Sequence, residues 1–202
     1  ASEVSFGSHP IIFFASADDE FLIFIDKKNN LEIIARELSM ETNFNGSEIE
    51  NENDLLEFAE SVKFPSHGLI LRKSKAADSD IIKGITKLHD LKKAFHLLYK
   101  KFNEVYVETD MRAMHNPSRM TVIENTTKKL VAKVISYCPQ CNIPGFGATN
   151  AKRGLECGLC GSATNSTLSY IYICQHCQHT KEVMYPHKKT SEDPMYCDYC
   201  NP

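Results

Sequence analysis

The chain has 202 residues, of which 42% are hydrophobic and 24% are charged. This length and composition allow one ordinary domain with a packed core and a smaller module beside it. The net charge of −3 is too close to neutral to imply any partner by itself. The apolar runs are only strand-sized, far short of the roughly 18 residues that a transmembrane helix needs, so we expect no membrane partner.

The start of the chain carries no basic and apolar leader of the signal-peptide kind, and we therefore expect a cytoplasmic protein. The chain opens at Ala1 rather than at a methionine. We expect that upstream residues have been cut away or left out.

The first part of the chain predicts a mixed α/β domain at residues 1–136. Glu20–Asp26 and Leu31–Leu38 flank a polar four-residue turn and indicate a β-hairpin, although the second segment also fits a helical turn. The next predicted elements are a helix at Leu55–Lys63 capped by Asp54, a strand at Gly68–Arg72, a helix at Leu91–Phe102 capped by Asp90, a strand at Val105–Val107, and a helix from Pro117 to about Ser136 capped by Asn116. A strand, a helix and a strand in this order predict a right-handed crossover with parallel strands in a mixed sheet.

All the cysteines follow this α/β part and form four C-x-x-C pairs. The pairs are Cys138/Cys141, Cys157/Cys160, Cys174/Cys177 and Cys197/Cys200. Two cysteines three residues apart on a tight turn can direct both thiolates at one ion, and two such turns complete a tetrahedron. Gly161 follows its pair at a position that commonly needs a positive φ. The pattern predicts a small double zinc-ribbon module at residues 137–202, with two structural zinc ions.

Three other uses of paired cysteines are less consistent with the sequence. A disulfide framework needs an oxidising compartment, to which nothing in the chain points. A redox C-x-x-C usually occurs singly, within a thioredoxin-like unit. An iron–sulfur centre usually has less symmetric spacings. Among the ways of sharing two ions, sequential pairing is favoured over a nested or an interleaved (cross-brace) arrangement.

A cluster of polar side chains lies between the last predicted strand of the α/β part and its long helix. It contains Glu108, Asp110, Arg112 and Arg119. The ends of strands and the beginnings of helices are where open α/β sheets bind ligands. The two carboxylates are candidate ligands of a magnesium ion, and the two arginines are candidate phosphate ligands. The same four side chains also fit a structural ion-pair network.

The N-terminus of the long helix is the predicted anion site, because its first N–H groups have no partner within the helix. Asn116, Ser118 and Arg119 are its candidate residues. Glu3, in the polar segment that opens the chain, is a further candidate for metal binding.

Several motifs together resemble an uncharacterised bacterial domain family with no assigned activity. They are E-T-D-M-R-A-x-x-N-P-S-R-M at 108–120, the first cysteine pair as C-P-x-C, the ending C-D-Y-C-N-P, S-E-V-S-F-G-S-H-P at 2–10, E-T-N-F at 41–44 and F-P-S-H at 64–67. The resemblance covers essentially the whole chain and implies a further N-terminal segment ahead of Ala1. Val4 stands where the family usually has Gly, and Ser8 where it usually has Pro. The N-terminal half is also distantly similar to inosine/xanthosine triphosphate pyrophosphatases.

Two classes of function follow from these observations. The first is a metal-dependent domain that binds or hydrolyses a nucleotide or another phosphate ligand, using Glu3, Glu108, Asp110, Arg112 and Arg119. The second is a zinc-ribbon module that binds nucleic acid or protein without catalysis. Its candidate surface comprises Lys152, Arg153, Tyr170, Tyr172, Lys181, Lys188 and Lys189. In either class the zinc module could also support self-association.

Overall fold

The structure is a computed structural model, which describes residues 2–8 and 16–202 of the chain. Two compact units divide these residues: the part up to Leu22 together with Ala35–Lys128, and Ile23–Ile34 together with Lys129–Pro202. The predicted domain boundary between residues 136 and 137 separates two parts that are expected to fold independently, and it stays a prediction. His9 and Pro10, which end the first motif, lie outside the described residues.

Three strands near the start of the chain form an antiparallel sheet. They are β1 (Ser2–Ser8), β2 (Ser16–Asp26) and β3 (Leu31–Ser39), in the order β1-β2-β3. The predicted hairpin is therefore confirmed, with both arms as strands. Asp26 holds its turn, since Oδ1 accepts the N–H of Lys28 at 2.9 Å, and Asn30 takes a φ of 50°. In the register of β1 on β2, Phe6 lies opposite Asp18 and Val4 lies opposite Glu20.

A four-stranded sheet with helices on one face lies within the first unit. Its elements are β4 (Gly46–Ile49), α1 (Glu52–Ser61), β5 (Leu69–Arg72), β6 (Ile81–Ile85), α2 (Leu88–Phe102) and β7 (Val105–Thr109). The strand order is β4-β7-β5-β6, and every neighbouring pair is antiparallel. Asn51, not Asp54, caps α1, accepting the N–H groups of Asn53 and Asp54.

The predicted parallel crossover between β5 and β7 is wrong. Strand β6 was not predicted; it forms a hairpin with β5 and reverses the chain before α2 begins. The helix therefore connects β6 to β7, and β7 pairs with β5 in the antiparallel direction. Gly84 interrupts the apolar pattern of β6, so this strand has only a weak signal in the sequence.

The two faces of this sheet differ because side chains alternate along a strand. One face packs against α1 and α2 to form the core, which contains Leu55, Phe58, Leu69, Leu71, Leu91, Phe95, Leu98, Val105 and Val107. Each such side chain contributes about 1.5–3 kcal/mol on burial. The other face carries Ile70, Arg72, Tyr106 and Glu108, so polar groups lie on the side away from the helices.

Helix α3 (Pro117–Val134) follows β7 after a short 3-10 helix at Ala113–His115. Asn116 caps it as predicted, because its Oδ1 accepts the N–H of Arg119 at 3.0 Å. Over residues 2–8 and 16–202, no helix is long and apolar enough to cross a membrane.

The cysteine-bearing part of the second unit is built on an antiparallel sheet. Strands β8 (Ala148–Arg153), β9 (Thr167–Ile173) and β10 (Thr180–Met184) take the order β10-β9-β8. Its apolar cluster is small: Phe146, Cys138 and Cys174 are buried, with Cys141 and Tyr172 against them. Three of these five residues are cysteines of the C-x-x-C pairs, so little core exists apart from the pairs themselves.

Candidate functional site

The eight cysteines come together as two groups of four. The first group is Cys138, Cys141, Cys174 and Cys177, and the second is Cys157, Cys160, Cys197 and Cys200. The favoured sequential pairing is therefore wrong, and the interleaved alternative is the one observed. The reason is the antiparallel sheet. The first cysteine pair precedes β8, and the second, third and fourth pairs follow β8, β9 and β10. Because neighbouring strands are antiparallel, successive pairs lie at alternate ends of the sheet.

The distances between sulfur atoms fit one tetrahedral ion in each group. The Sγ–Sγ distances are 3.7 Å for Cys138/Cys177, 3.6 Å for Cys141/Cys174, 3.9 Å for Cys157/Cys200 and 3.7 Å for Cys160/Cys197. Ligands about 2.3 Å from a tetrahedral ion lie about 3.8 Å apart. A disulfide would bring two sulfurs to about 2.05 Å, and all eight cysteines are free. Each group can therefore hold a metal ion, and four thiolates leave no open position on it.

Local backbone geometry makes three of the four turns alike. In all four turns the carbonyl of the first cysteine accepts the N–H of the residue after the second cysteine, at 2.9, 2.9, 3.0 and 2.8 Å, and three of the turns also share the conformation of that residue. That residue has a positive φ: Asn142 at 57°, Gly161 at 70° and Gln178 at 61°. The expected role of Gly161 is thus confirmed. The N–H groups of Gln140 and Leu159 point at the first sulfur of their turns, at 3.4 Å.

The two carboxylates at the end of β7 are each held by an arginine. Glu108 forms an ion pair with Arg72, and Asp110 forms one with Arg112 at 2.6 Å. Within residues 2–8 and 16–202, the cysteine groups are the only sets of three or more side chains placed to hold a metal. The structure therefore shows ion pairs at both carboxylates, and the magnesium site stays a prediction.

Asp110 is fully buried and its carboxylate has four hydrogen bonds. It accepts the N–H of Gly84 at 3.0 Å and the N–H, Nε and Nη2 of Arg112 at 3.2, 2.9 and 2.6 Å. Burial favours its neutral form, but the hydrogen bonds and charge of Arg112 outweigh burial and hold the pKa of Asp110 below its usual value. Gly84 is needed here, because a Cβ would lie 2.9 Å from His115 Nε2 and φ is 71°.

The predicted anion site at the start of α3 already has internal partners. Asn116 is fully buried; besides capping the Arg119 N–H, it donates from Nδ2 to Asn43 Oδ1 at 2.8 Å. The N–H of Ser118 donates to His67 Nε2 at 3.3 Å. Arg119 donates from Nε to Glu20 Oε1 at 2.5 Å and from Nη1 to Met111 O at 2.6 Å. These groups fasten the start of the helix rather than leaving it open.

Two buried acids on β2 were not predicted as site residues from the sequence. Asp18 and Glu20 are each 1% exposed, and Asp18 Oδ1 has no hydrogen-bond partner. Burial, followed by the charge of Glu20, raises the pKa of Asp18 to about 6, against an opposing effect of Arg119. The available signal was the run Asp18–Glu20, three consecutive acids that lead directly into an apolar strand, so that the first and third lie on the same face of it.

Replacing Asp18 with Asn should remove a pH-dependent cost of folding. The folded protein holds the Asp18 proton more tightly than the unfolded chain, whose pKa is 3.8. Stability should fall as pH rises from about 4 through about 6 and stay lower above it. We expect Asp18→Asn to stabilise the protein at pH 8 by on the order of 2–3 kcal/mol and hardly at pH 4.

Urea unfolding of both proteins at pH 4, 5, 6 and 8 measures this difference. Asp19→Asn is the matched control, because Asp19 instead bonds Arg36 at 2.7 Å. An Asp18→Asn protein that loses stability between pH 4 and 6 as steeply as the parent would contradict the assignment.

A cavity of about 330 Å³ in the first unit is lined in part by Glu108, Asp110, Arg112 and Arg119. One wall is aromatic, since the rings of Phe6 and Phe44 stack with centroids 5.8 Å apart. Its polar lining includes Lys83, Arg112 and Arg119, and Arg119 also lies 5.3 Å from the centre of the Phe6 ring. Glu3 is exposed on β1 at an odd position and faces away from Phe6, so it does not join this cavity.

The candidate nucleic-acid surface of the second unit is divided between two faces. Lys181 lies opposite Tyr172 in the register of β9 and β10, on the same face of the sheet. Lys152 lies opposite Ser169, on the other face, and pairs with Glu182 at 3.5 Å. Lys189 is paired with Glu192. Basic and aromatic side chains thus form no continuous stacking platform among the described residues.

One family model matches the chain. It is described as a domain of unknown function, DUF6671, and it matches residues 1–202. The chain belongs to the DUF6671 family. Searches of the curated proteins and of the solved structures return no match. The distant similarity of this family member to inosine/xanthosine triphosphate pyrophosphatases therefore stays a prediction.

Proposed function

We propose that the protein holds two structural zinc ions, one in each cysteine group. The observation that carries this proposal is the set of Sγ–Sγ distances between 3.6 and 3.9 Å. Zinc prefers four thiolates in a tetrahedron, and a site closed by four protein ligands supports folding rather than catalysis. The sulfurs lie too close together to surround a multinuclear iron–sulfur cluster.

Elemental analysis of the purified protein tests the metal assignment. We expect about two zinc per chain and negligible iron after purification without added metal. A preparation with eight intact thiols and no bound metal, or one with iron in place of zinc, would overturn it.

We further propose that the first unit binds a nucleotide in the 330 Å³ cavity. A nucleotide combines a flat ring with an anionic tail, and the cavity offers the Phe6/Phe44 wall beside Lys83 and Arg112. Lys83 has no ion-pair partner among residues 2–8 and 16–202, and Arg112, although bonded to Asp110, keeps 46% of its side chain exposed. Both cations can therefore approach phosphate oxygens from the open side.

We propose that magnesium binds together with the nucleotide. Glu108 and Asp110 are occupied by arginines, so the protein alone offers no complete cation site there. Magnesium in proteins commonly combines one or two carboxylates with phosphate oxygens and water. Glu108 lines the cavity with 26% of its side chain exposed, which supports it as the carboxylate that would complete such a site. Hydrolysis of the phosphate chain would then depend on the bound ion.

The Lys83→Ala variant is the sharpest test of the cavity. We expect nucleoside triphosphates to raise the melting temperature of the parent, more so with magnesium, and Lys83→Ala to weaken binding about tenfold, the equivalent of about 1.4 kcal/mol. Calorimetric titration with and without magnesium measures the affinity, and phosphate release reports hydrolysis.

Lys100→Ala is the matched control, because Lys100 is an exposed lysine of α2 on the helix side of the sheet. Equal weakening in the two variants would indicate non-specific attraction to phosphate. No stabilisation by any nucleotide would reject the proposal, and salt-sensitive binding of nucleic acid instead would favour an interaction module.

A further inference from the structure

His67 is buried between two serines that belong to different motifs of the sequence. Its exposed fraction is 5%. Its Nδ1 lies 2.9 Å from Ser66 Oγ, and its Nε2 lies 2.9 Å from Ser118 Oγ. Ser118 belongs to N-P-S-R-M at the start of α3, 51 residues along the chain, and neither the zinc sites nor the nucleotide cavity uses this contact.

The hydrogen bonds around these groups fix where the imidazole proton lies. Ser66 has one hydroxyl proton and donates it to Lys63 O at 2.6 Å. Ser66 Oγ therefore accepts at His67, so Nδ1 carries the proton. Nε2 is then an acceptor, as it must also be to receive the N–H of Ser118 at 3.3 Å. The Ser118 hydroxyl consequently donates to a bare imidazole nitrogen.

The histidine is held in the neutral form that can receive a proton. Burial, and then the charge of Lys63, lower the pKa of His67 below its usual 6.5. A nucleophilic serine needs a neutral base at hydrogen-bond distance and a third group that orients this base. Ser66, fixed by the carbonyl of Lys63, occupies the orienting position.

Ser118 also faces a cavity that can admit a substrate. The cavity measures about 480 Å³, and its lining includes Glu41, Thr42, Lys63, Ser118 and Asn125. It differs from the nucleotide cavity in two ways. Its lining includes Ser118, which neighbours His67, and it includes no aromatic side chain. Lys63 and Asn125 are the lining residues with side-chain N–H donors for an oxygen that becomes negative during a reaction.

We propose that Ser118 is a nucleophile and His67 its general base, in a site that cleaves small polar acyl esters. Ser118 Oγ attacks the carbonyl carbon while its proton passes to His67 Nε2. The ester C–O bond then breaks, and the alcohol leaves with that proton. Water, deprotonated by the same nitrogen, releases the acid and restores the Ser118 hydroxyl. Ser66 acts as a positioning residue.

A purely structural reading gives the same contacts another role, in which His67 only fastens the loop at 63–68 to the start of α3. The two readings differ in the reactivity of Ser118. A fluorophosphonate probe distinguishes them, because the serine oxygen displaces fluoride from phosphorus only when a base takes its proton. The adduct is stable and can be located by peptide mass spectrometry.

We expect the intact zinc-loaded protein to be labelled at Ser118, and Ser118→Ala, which keeps its N–H bond to His67, to abolish labelling without changing the melting temperature. Thr127→Ala is the matched control: Thr127 is an exposed hydroxyl of α3 that bonds Ile123 O at 2.7 Å and has no histidine beside it. The labelling rate should rise with pH through a midpoint below 6.5 and be flat by pH 8.

Ser66→Ala should slow labelling by about tenfold while leaving Ser118 the labelled residue, and p-nitrophenyl acetate hydrolysis should follow the same order among the variants. A folded parent protein that is not labelled at Ser118 overturns the proposal. So does labelling that is spread over several exposed hydroxyls, or labelling at Ser118 whose rate falls as the pH rises from 5 to 8.

Discussion

The double variant Cys157→Ser/Cys197→Ser is expected to lose one proposed zinc ion and keep the other, whereas Cys138→Ser/Cys157→Ser loses both. The interleaved groups place Cys157 and Cys197 on the same ion but Cys138 and Cys157 on different ions. Sequential pairing would give the opposite result in the two variants. Serine replaces the thiolate at almost constant volume, so metal binding is the property that changes. Native mass spectrometry measures the number of ions per chain.

Loss of both ions should also unfold the second unit. Binding of a structural zinc is worth about 10–16 kcal/mol, which is comparable with the whole stability of an ordinary domain. The apolar cluster of this unit consists largely of the cysteines themselves, with Phe146 and Tyr172 beside them. The first unit has its own core around Leu55, Leu71 and Val107 and should melt as a separate transition.

Circular dichroism and calorimetry before and after chelation provide the control for this stability effect. The metal-free protein should lose the second unit and recover it when zinc is returned under reducing conditions. If the second unit keeps its melting transition without metal, zinc is not the source of its stability.

Asp110→Asn is expected to destabilise the first unit by about 1–3 kcal/mol, because it leaves buried hydrogen-bond donors without an acceptor. The parent carboxylate is fully buried and accepts four hydrogen bonds, whereas an amide offers fewer acceptor positions and places an NH₂ group against donors. Urea unfolding at pH 7 measures the difference.

The control for Asp110→Asn is Glu124→Gln. Glu124 pairs with Lys128 at 2.6 Å on α3, but both side chains are more than 60% exposed. An exposed pair of this kind contributes little to stability, because water screens both charges. Equal effects of the two substitutions would show that the Asp110 carboxylate is solvated rather than buried.

The direction of the Asp110 pKa shift adds a pH signature. Its pKa is lowered in the folded protein, so its contribution to stability is complete above the unfolded value of 3.8 and is lost as pH falls through the folded value. The difference between parent and Asp110→Asn should therefore shrink in strong acid, in contrast to the Asp18 effect, which changes between about pH 4 and 6.

The features that the sequence determined by itself are local ones. A polar turn between two apolar segments was enough to predict β2 and β3, and Asn116 before Pro117 was enough to place the start of α3. The C-x-x-C pairs identified the cysteines that can hold a metal ion, since spacing alone places two thiolates on one turn. Each of these signals acts over a few residues, and no distant contact is needed to interpret it.

The tertiary structure decided everything that depends on which distant segments meet. The antiparallel order of β8, β9 and β10 set the sharing of cysteines between the two groups, which identical C-x-x-C spacings leave open. The hairpin of β5 and β6 set the direction of β7. Asp18 is buried by residues that are remote from it in sequence, and His67 contacts Ser118, which is also remote. Pairing of this kind is decided by packing, for which a single sequence carries no local pattern.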